Sequence, residues 1–177
     1  ICVGEMARFF GLPSWGVGGT SDSKCLDEQA AAEAMNSIVF AALSGANFVH
    51  DVGYTESAMT GSLGQLVMCD ELIGMARHVA RGIDVNRETL AIDVIGQAVS
   101  TGDFLTLDHT AKHFRGQFWF PKLMDRQRYG EWESAGKLTM GDRVRARVSE
   151  ILKTHRAAPL PKNVGAALTR IVSGVKK

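Results

Sequence analysis

The 177-residue chain is 45% hydrophobic and carries 20 Lys+Arg against 19 Asp+Glu, a formal net charge of +1 at pH 7. This is enough apolar material for one ordinary globular core, which excludes a disordered tail. Acids and bases are mixed along the whole length, so no electrostatic footprint marks nucleic acid or an anionic membrane as a partner.

The chain opens on an amphipathic helix that brings Val3, Met6, Ala7 and Phe10 to one face, as if starting in the middle of a longer fold. Gly11 and Pro13 stop it, and 14–18 follows as a short buried strand that runs into the turn Gly18, Gly19, Thr20. Asp27 caps a long helix over 28–43, with Ala31, Ala34, Met35, Ile38, Val39 and Ala42 as its apolar stripe, and Gly45 ends it. A second strand is expected over 47–53. Ser62 then caps a helix over 63–81, with Leu66, Val67, Ile73, Ala76 and Ala80 on one face, closed by Gly82.

Strands alternating with helices of this length are the pattern of parallel βαβ units, whose site lies in the loops at the C-terminal ends of the strands. From residue 85 onward the pattern is helical, over 87–100, 108–116, 125–134 and 142–153, with a short terminal helix near 164–175. Thr139 and Asp142 have the spacing of a capping box.

The residues with chemical potential are few. His50 and Asp51 end the second strand, with Tyr54 and Glu56 in the loop that follows. Adjacent strand residues face opposite sides, so one of the pair is the site residue and the other its structural partner, unless the strand has already ended. An imidazole there can serve as acid, base or hydrogen-bond donor, or simply satisfy a neighbouring element. Trp15 and the glycines Gly18 and Gly19 allow close approach of a ligand or of another backbone. The phosphate-loop and dinucleotide spacings are both missing, so no nucleotide site is expected.

His109 and His113 share a helix face in the manner of a two-histidine metal site, but no acid lies between them and no third ligand is indicated, so no metal is assigned. The cysteines Cys2, Cys25 and Cys69 are far apart, with no C-x-x-C spacing, which argues against disulfides and structural zinc. The aromatic-rich segment 114–123 is expected to pin the later helices onto the strand-bearing part. No apolar run approaches the ~20 residues of a membrane span and no signal-peptide pattern is present, so a cytoplasmic location is expected.

Several segments together resemble one family. RFFGLPS at 8–14, GGTSDSK at 18–24, SGANFVH at 44–50, CDELIGM at 69–75, DHTAKHFR at 108–115 and WFPKLMDR at 119–126 look, in order, like the C-terminal part of the trimethylamine methyltransferase family. The resemblance implies an α/β fold: the last βα units of a (β/α)8 TIM barrel over 1–84, and a mostly helical C-terminal extension over 85–177. It implies transfer of a methyl group from a quaternary or tertiary methylamine to the Co(I) of a corrinoid held by a small partner protein, with no cofactor bound by this chain itself.

By the same resemblance His50 matches a histidine lining the substrate pocket and is the expected catalytic residue. Trp15, Gly18 and Gly19 fall in the preceding mouth loop and, with His50, Tyr54 and Glu56, make up the expected substrate-binding set. Family members acting on trimethylamine carry pyrrolysine, and none is written here, which favours a quaternary amine such as glycine betaine. A homo-oligomer is compatible with this picture. Two alternatives stay open: a non-catalytic subunit or partner-docking fragment that uses 114–120, and a barrel lyase that uses His50 with Glu56.

Overall fold

The computed structural model describes residues 1–175. Helix α1 (Cys2–Phe9) leads to strand β1 (Trp15–Val17), helix α2 (Glu28–Ser44) and strand β2 (Phe48–His50). Both helix caps expected from the sequence are present where they can act: the Asp27 carboxylate accepts from the Ala30 N–H at 2.9 Å, and Gly45 closes α2 in the left-handed region. β1 and β2 pair in parallel, with Trp15 opposite Phe48, Gly16 opposite Val49 and Val17 opposite His50. A helix between two parallel neighbours is the βαβ connection, which confirms the α/β character.

The second strand is shorter than expected because the chain turns at Asp51. Beyond it lies a hairpin that the sequence did not announce, β3 (Tyr54–Thr55) paired antiparallel with β4 (Thr60–Gly61). Two-residue strands have no readable period, and the intervening turn uses Glu56, Ser57 and Ala58 at positive φ where glycine or asparagine is the usual signal. Helix α3 (Leu63–Ala80) follows, its start capped by the Ser62 hydroxyl accepting from the Gln65 N–H.

The core is built by α2 against α3 and α3 against α8 (Met140–Thr154). Its buried members are Ala30, Ala34 and Ile38 from α2, Met68, Cys69, Leu72 and Ala76 from α3, Leu123, and Val144 from α8. The stripes expected from periodicity are rotated: Ala42, Leu66 and Ala80 are exposed, while Ala30, Ala41, Gln65 and Glu71 are buried. Packing selects the face, because α3 lies between α2 and α8 and buries two sides, including polar groups that find partners there.

The later helices need two corrections. The helix expected over 87–100 is broken into α4 (Arg87–Leu90) and α5 (Ile92–Thr101) by Ala91, which sits at φ 50 and donates its N–H back to Arg87. After α6 (Asp108–Gln117), the helix expected over 125–134 shrinks to α7 (Tyr129–Ser134), because the Asp125 carboxylate folds onto the Gln127 N–H at 2.6 Å. The Thr139–Asp142 capping box is formed at the start of α8, and α9 (Lys162–Gly174) completes the described chain. No helix among the described residues is long and apolar enough to cross a membrane.

The aromatic-rich segment docks as expected. The Glu71 carboxylate on α3 accepts the N–H groups of Lys122, Leu123 and Met124 at 2.7–3.0 Å, and Arg143 on α8 donates to the Leu123 carbonyl.

Two expectations of burial fail. β1 is covered on one face only: Gly16 and Val49 point toward α2, while Trp15 is 70% and Phe48 60% exposed on the other side. The apolar face of α1 is likewise uncovered, with Val3, Met6 and Phe10 all exposed. The described residues form two-stranded sheets and no closed barrel.

Candidate functional site

The period-2 alternation of a strand puts Trp15 and Val17 of β1 on the same face as Phe48 and His50 of β2. This is the uncovered face of the sheet, and its rings form one edge-to-face group. Trp15 lies 5.0 Å from His50 at an interplanar angle of 77°, and 5.3 Å from Phe48 at 89°, both between centroids. Such geometry places the positive ring edge against a negative face, holding the group while leaving indole surface open.

Asp51 breaks the alternation. At φ 67 it occupies a region that a non-glycine residue seldom adopts, so its side chain does not continue to the opposite face. The carboxylate instead meets His50, Oδ1 to Nδ1, at 2.8 Å, with each side chain about one-third exposed. Asp51 is thus the structural partner of the histidine, and it fixes which ring nitrogen stays free: Nε2.

The two loops that leave the parallel strands are stitched together. The Ser21 N–H donates to the Tyr54 carbonyl at 3.1 Å, the Gly53 N–H to Gly19 at 3.2 Å and the Glu56 N–H to Ser23 at 2.9 Å, while the Ser57 hydroxyl donates to Asp22 at 2.8 Å. From α2, Glu33 accepts both the Ser21 hydroxyl at 2.6 Å and the Asp22 N–H at 2.8 Å. These bonds, the Ser21 hydroxyl foremost, hold the Glu33 carboxyl below its ordinary range.

Gly18 and Gly19 are buried, and they serve packing. A Cβ on Gly19, which has φ +80, would meet Cys69 Sγ at 3.2 Å and Val52 at 3.3 Å. Cys69 donates its thiol to the Gly19 carbonyl at 3.3 Å, and burial pushes that thiol up to about 11.

The structure therefore brings Trp15 and His50 together, and it adds Phe48 and Asp51, which the sequence reading did not select. Phe48 was recoverable, since it stands two residues before His50 on the same strand face. Asp51 was not, because nothing in its identity announces a left-handed backbone.

Tyr54 is 40% exposed on β3. Glu56 is turned onto its own hairpin, where its carboxylate accepts the Thr60 hydroxyl at 2.7 Å. Among the described residues no bond joins Glu56 to His50. Asp51, directly after β2, and Glu56, Ser57 and Ala58, in the turn of the β3–β4 hairpin, are all non-glycine residues at positive φ, so backbone strain is concentrated in the segment that follows β2.

A separate open groove of about 890 Å³ lies between α3, α8 and Trp119. Its buried carboxylate, Glu71, is occupied by three backbone N–H groups and has a structural task.

Comparison with known proteins agrees with this picture in sequence. The family model described as trimethylamine methyltransferase (MTTB) matches residues 1–176. The chain is 36% identical over 170 residues to the trimethylamine methyltransferase MttB of Desulfitobacterium hafniense (strain DSM 10664 / DCB-2), covering 96% of this chain and 34% of that protein. It is 36% identical over 170 residues to the glycine betaine methyltransferase of D. hafniense (strain Y51), covering 96% and 35%. With the trimethylamine methyltransferase MttB of Methanosarcina barkeri (strain Fusaro / DSM 804) it shares 33% over 175 residues, 99% of this chain and 35% of the other. The chain spans about a third of the length of these relatives. With the family model matched over nearly every residue, the chain belongs to the trimethylamine methyltransferase family.

Proposed function

We propose that this chain is the C-terminal portion of an amine:corrinoid protein methyltransferase, and that the Trp15, Phe48, His50 and Asp51 face lines its substrate pocket. In this reading β1 and β2 are neighbouring strands of a (β/α)8 barrel whose other strands come from sequence outside the chain. Residues 1–84 supply the last barrel units and 85–177 a helical extension packed on them. The observation that carries the reading is the uncovered ring face of two parallel strands, which runs from Trp15 and Phe48 to His50 at the C-terminal end of β2, the edge on which such barrels build their sites.

The substrate best suited to this face is a methylated ammonium. The methyl group passes to Co(I) of a corrinoid carried by a partner protein, while the electron pair of the C–N bond stays on nitrogen, so a quaternary ammonium leaves as a neutral tertiary amine. The substrate loses its charge as the bond breaks, so a dense anionic cage would stabilise the ground state more than the transition state. Ring faces hold the cation more gently, at ~0.5–2 kcal/mol each.

The carboxylate nearest this face, Asp51, is already engaged by His50. With Nδ1 committed to Asp51, His50 presents Nε2, which as N–H in the imidazolium form can bind the carboxylate of a betaine. That feature favours a glycine betaine-like substrate over trimethylamine. Gly18 and Gly19 shape the pocket floor through packing, and Tyr54 lies in the adjoining loop.

The test uses the longest open reading frame that contains this chain, purified and mixed with a Co(I) corrinoid protein and glycine betaine or trimethylamine. Appearance of the methylated corrinoid spectrum with glycine betaine, and its sharp slowing in His50→Ala, is the expected result. Asp51→Asn should raise KM more than it lowers kcat if its task is to orient the imidazole. Corrinoid-protein binding without methyl transfer from either amine would replace this reading with a non-catalytic docking subunit.

A further inference from the structure

The histidines at 109 and 113 lacked a third ligand when only their spacing was known. The fold supplies one. Helix α4 is carried against α6 so that Glu88 faces both imidazoles. His113 Nε2 lies 3.0 Å from Glu88 Oε1, and His109 Nε2 lies 2.9 Å from the Glu88 carbonyl oxygen. The two rings are 4.3 Å apart between centroids and only 32° from parallel, so their nitrogens are presented side by side. One ligand atom from each of Glu88, His109 and His113 falls within 4.8 Å of the others.

We propose that Glu88, His109 and His113 form a binding site for a divalent transition metal of the zinc class. Two imidazole nitrogens and a carboxylate oxygen are a borderline donor set that suits Zn²⁺ and Co²⁺ far better than Mg²⁺ or Ca²⁺, which require oxygen. Three protein ligands leave a fourth tetrahedral position for water. Zn–ligand distances of about 2.0–2.1 Å imply ligand atoms about 3.3 Å apart. Reaching that from the present spacing requires a rotamer adjustment of the exposed Glu88 and release of His109 Nε2 from the Glu88 carbonyl.

A cation already stands in this place. Lys112 Nζ is 2.7 Å from the same Glu88 Oε1 that His113 meets. Its ammonium is the competitor an entering ion must displace. Arg87, next in sequence, is drawn away by Asp93 at 2.9 Å and adds no second cation to the carboxylate. The bound ion would tie α4 to α6 across the intervening helix α5.

The test is direct and independent of methyl transfer. Metal-stripped protein is titrated with zinc chloride by calorimetry, and with Co²⁺ while its visible absorption is followed. The expected result is one equivalent bound with a tetrahedral Co²⁺ spectrum. His109→Ala and His113→Ala should each weaken binding by more than roughly 100-fold, beyond the loss seen for an outer-shell partner. Lys112→Met should tighten it, and the remote His78→Ala should leave it unchanged, with circular dichroism used to check that every variant is folded. The proposal is overturned by uptake only at millimolar zinc, by undiminished binding in the His109→Ala/His113→Ala double variant, or by weaker binding in Lys112→Met.

Discussion

Replacing Glu71 tests whether one buried carboxylate organises the junction between the strand-bearing half and the later helices. Its Oε1 accepts from the Leu123 and Met124 N–H groups and its Oε2 from Lys122 and Leu123, all at 2.7–3.0 Å. In Glu71→Gln one oxygen becomes an NH₂ group that points at a backbone donor, and the remaining bonds lose their charge assistance. The buried Leu123 N–H is bonded to both oxygens and keeps the remaining one in either orientation of the amide, whereas the NH₂ group displaces the bond from Lys122 or from Met124. That donor–donor clash, together with the loss of charge on the bonds that remain, costs about 1–3 kcal/mol.

The expected destabilisation is therefore about 1–3 kcal/mol for Glu71→Gln, and it is larger for Glu71→Ala, which leaves the buried Leu123 N–H without this acceptor and also leaves a void. For Glu71→Gln in a domain of this size that lowers Tm by about 2–12 °C. Urea and thermal unfolding measure the change, and hydrogen exchange at the Lys122 and Met124 amides localises it. A Glu71→Gln protein within about 0.5 kcal/mol of the parent, with the Lys122 and Met124 amides as protected as before, would refute the reasoning.

Other outcomes follow from the same geometry. Of the three thiols, Cys2 and Cys25 are exposed while Cys69 is buried and pushed up to about 11, so iodoacetamide at neutral pH should label two sites in the native state and three in urea. A Cβ on Gly74 would overlap the Trp119 ring, so Gly74→Ala should destabilise by about 1–3 kcal/mol despite better helix propensity. Pairing Gly74→Ala with Trp119→Leu should recover part of that loss in a double-mutant cycle.

Asp142 is held at about 2, below the ordinary 3.8 of an aspartate, by the Thr139 hydroxyl first and then by the Thr139 N–H and Arg145. A depressed carboxyl stabilises the fold above its unfolded value, so this contribution is complete above about pH 4 and fades as pH falls toward 2. Exchange at the first turn of α8 should rise over that window in the parent protein, and it should be raised and pH-independent there in Asp142→Asn.

Much of the local structure was legible because its causes are local. Asp27, Ser62 and the Thr139–Asp142 pair cap helices through bonds that span three residues, and Gly45 ends one through its own backbone freedom. The ordered run of family segments also carried the family assignment. The His50 position was readable in the same way, and Phe48 was implied by its register. What stayed hidden depends on contacts distant in sequence or on backbone states without a residue signature. Ala91 divides a helix, and Asp51 turns off a strand to engage His50, both at positive φ in residues that give no warning of it.

By itself, then, the sequence determined where helices begin, that strands alternate with them, which family the chain belongs to, and that a histidine ends the second strand. Only the tertiary structure decided which face of α3 is buried, that Trp15 stands against His50, that Asp51 rather than Glu56 is the partner of the imidazole, and that Glu88 completes a donor set with His109 and His113. The physical reason is separation along the chain. A cap or a helix stripe is fixed within a turn or two, whereas Trp15 with His50, or Glu88 with His113, meet only after the packing of whole helices and strands has set their distance.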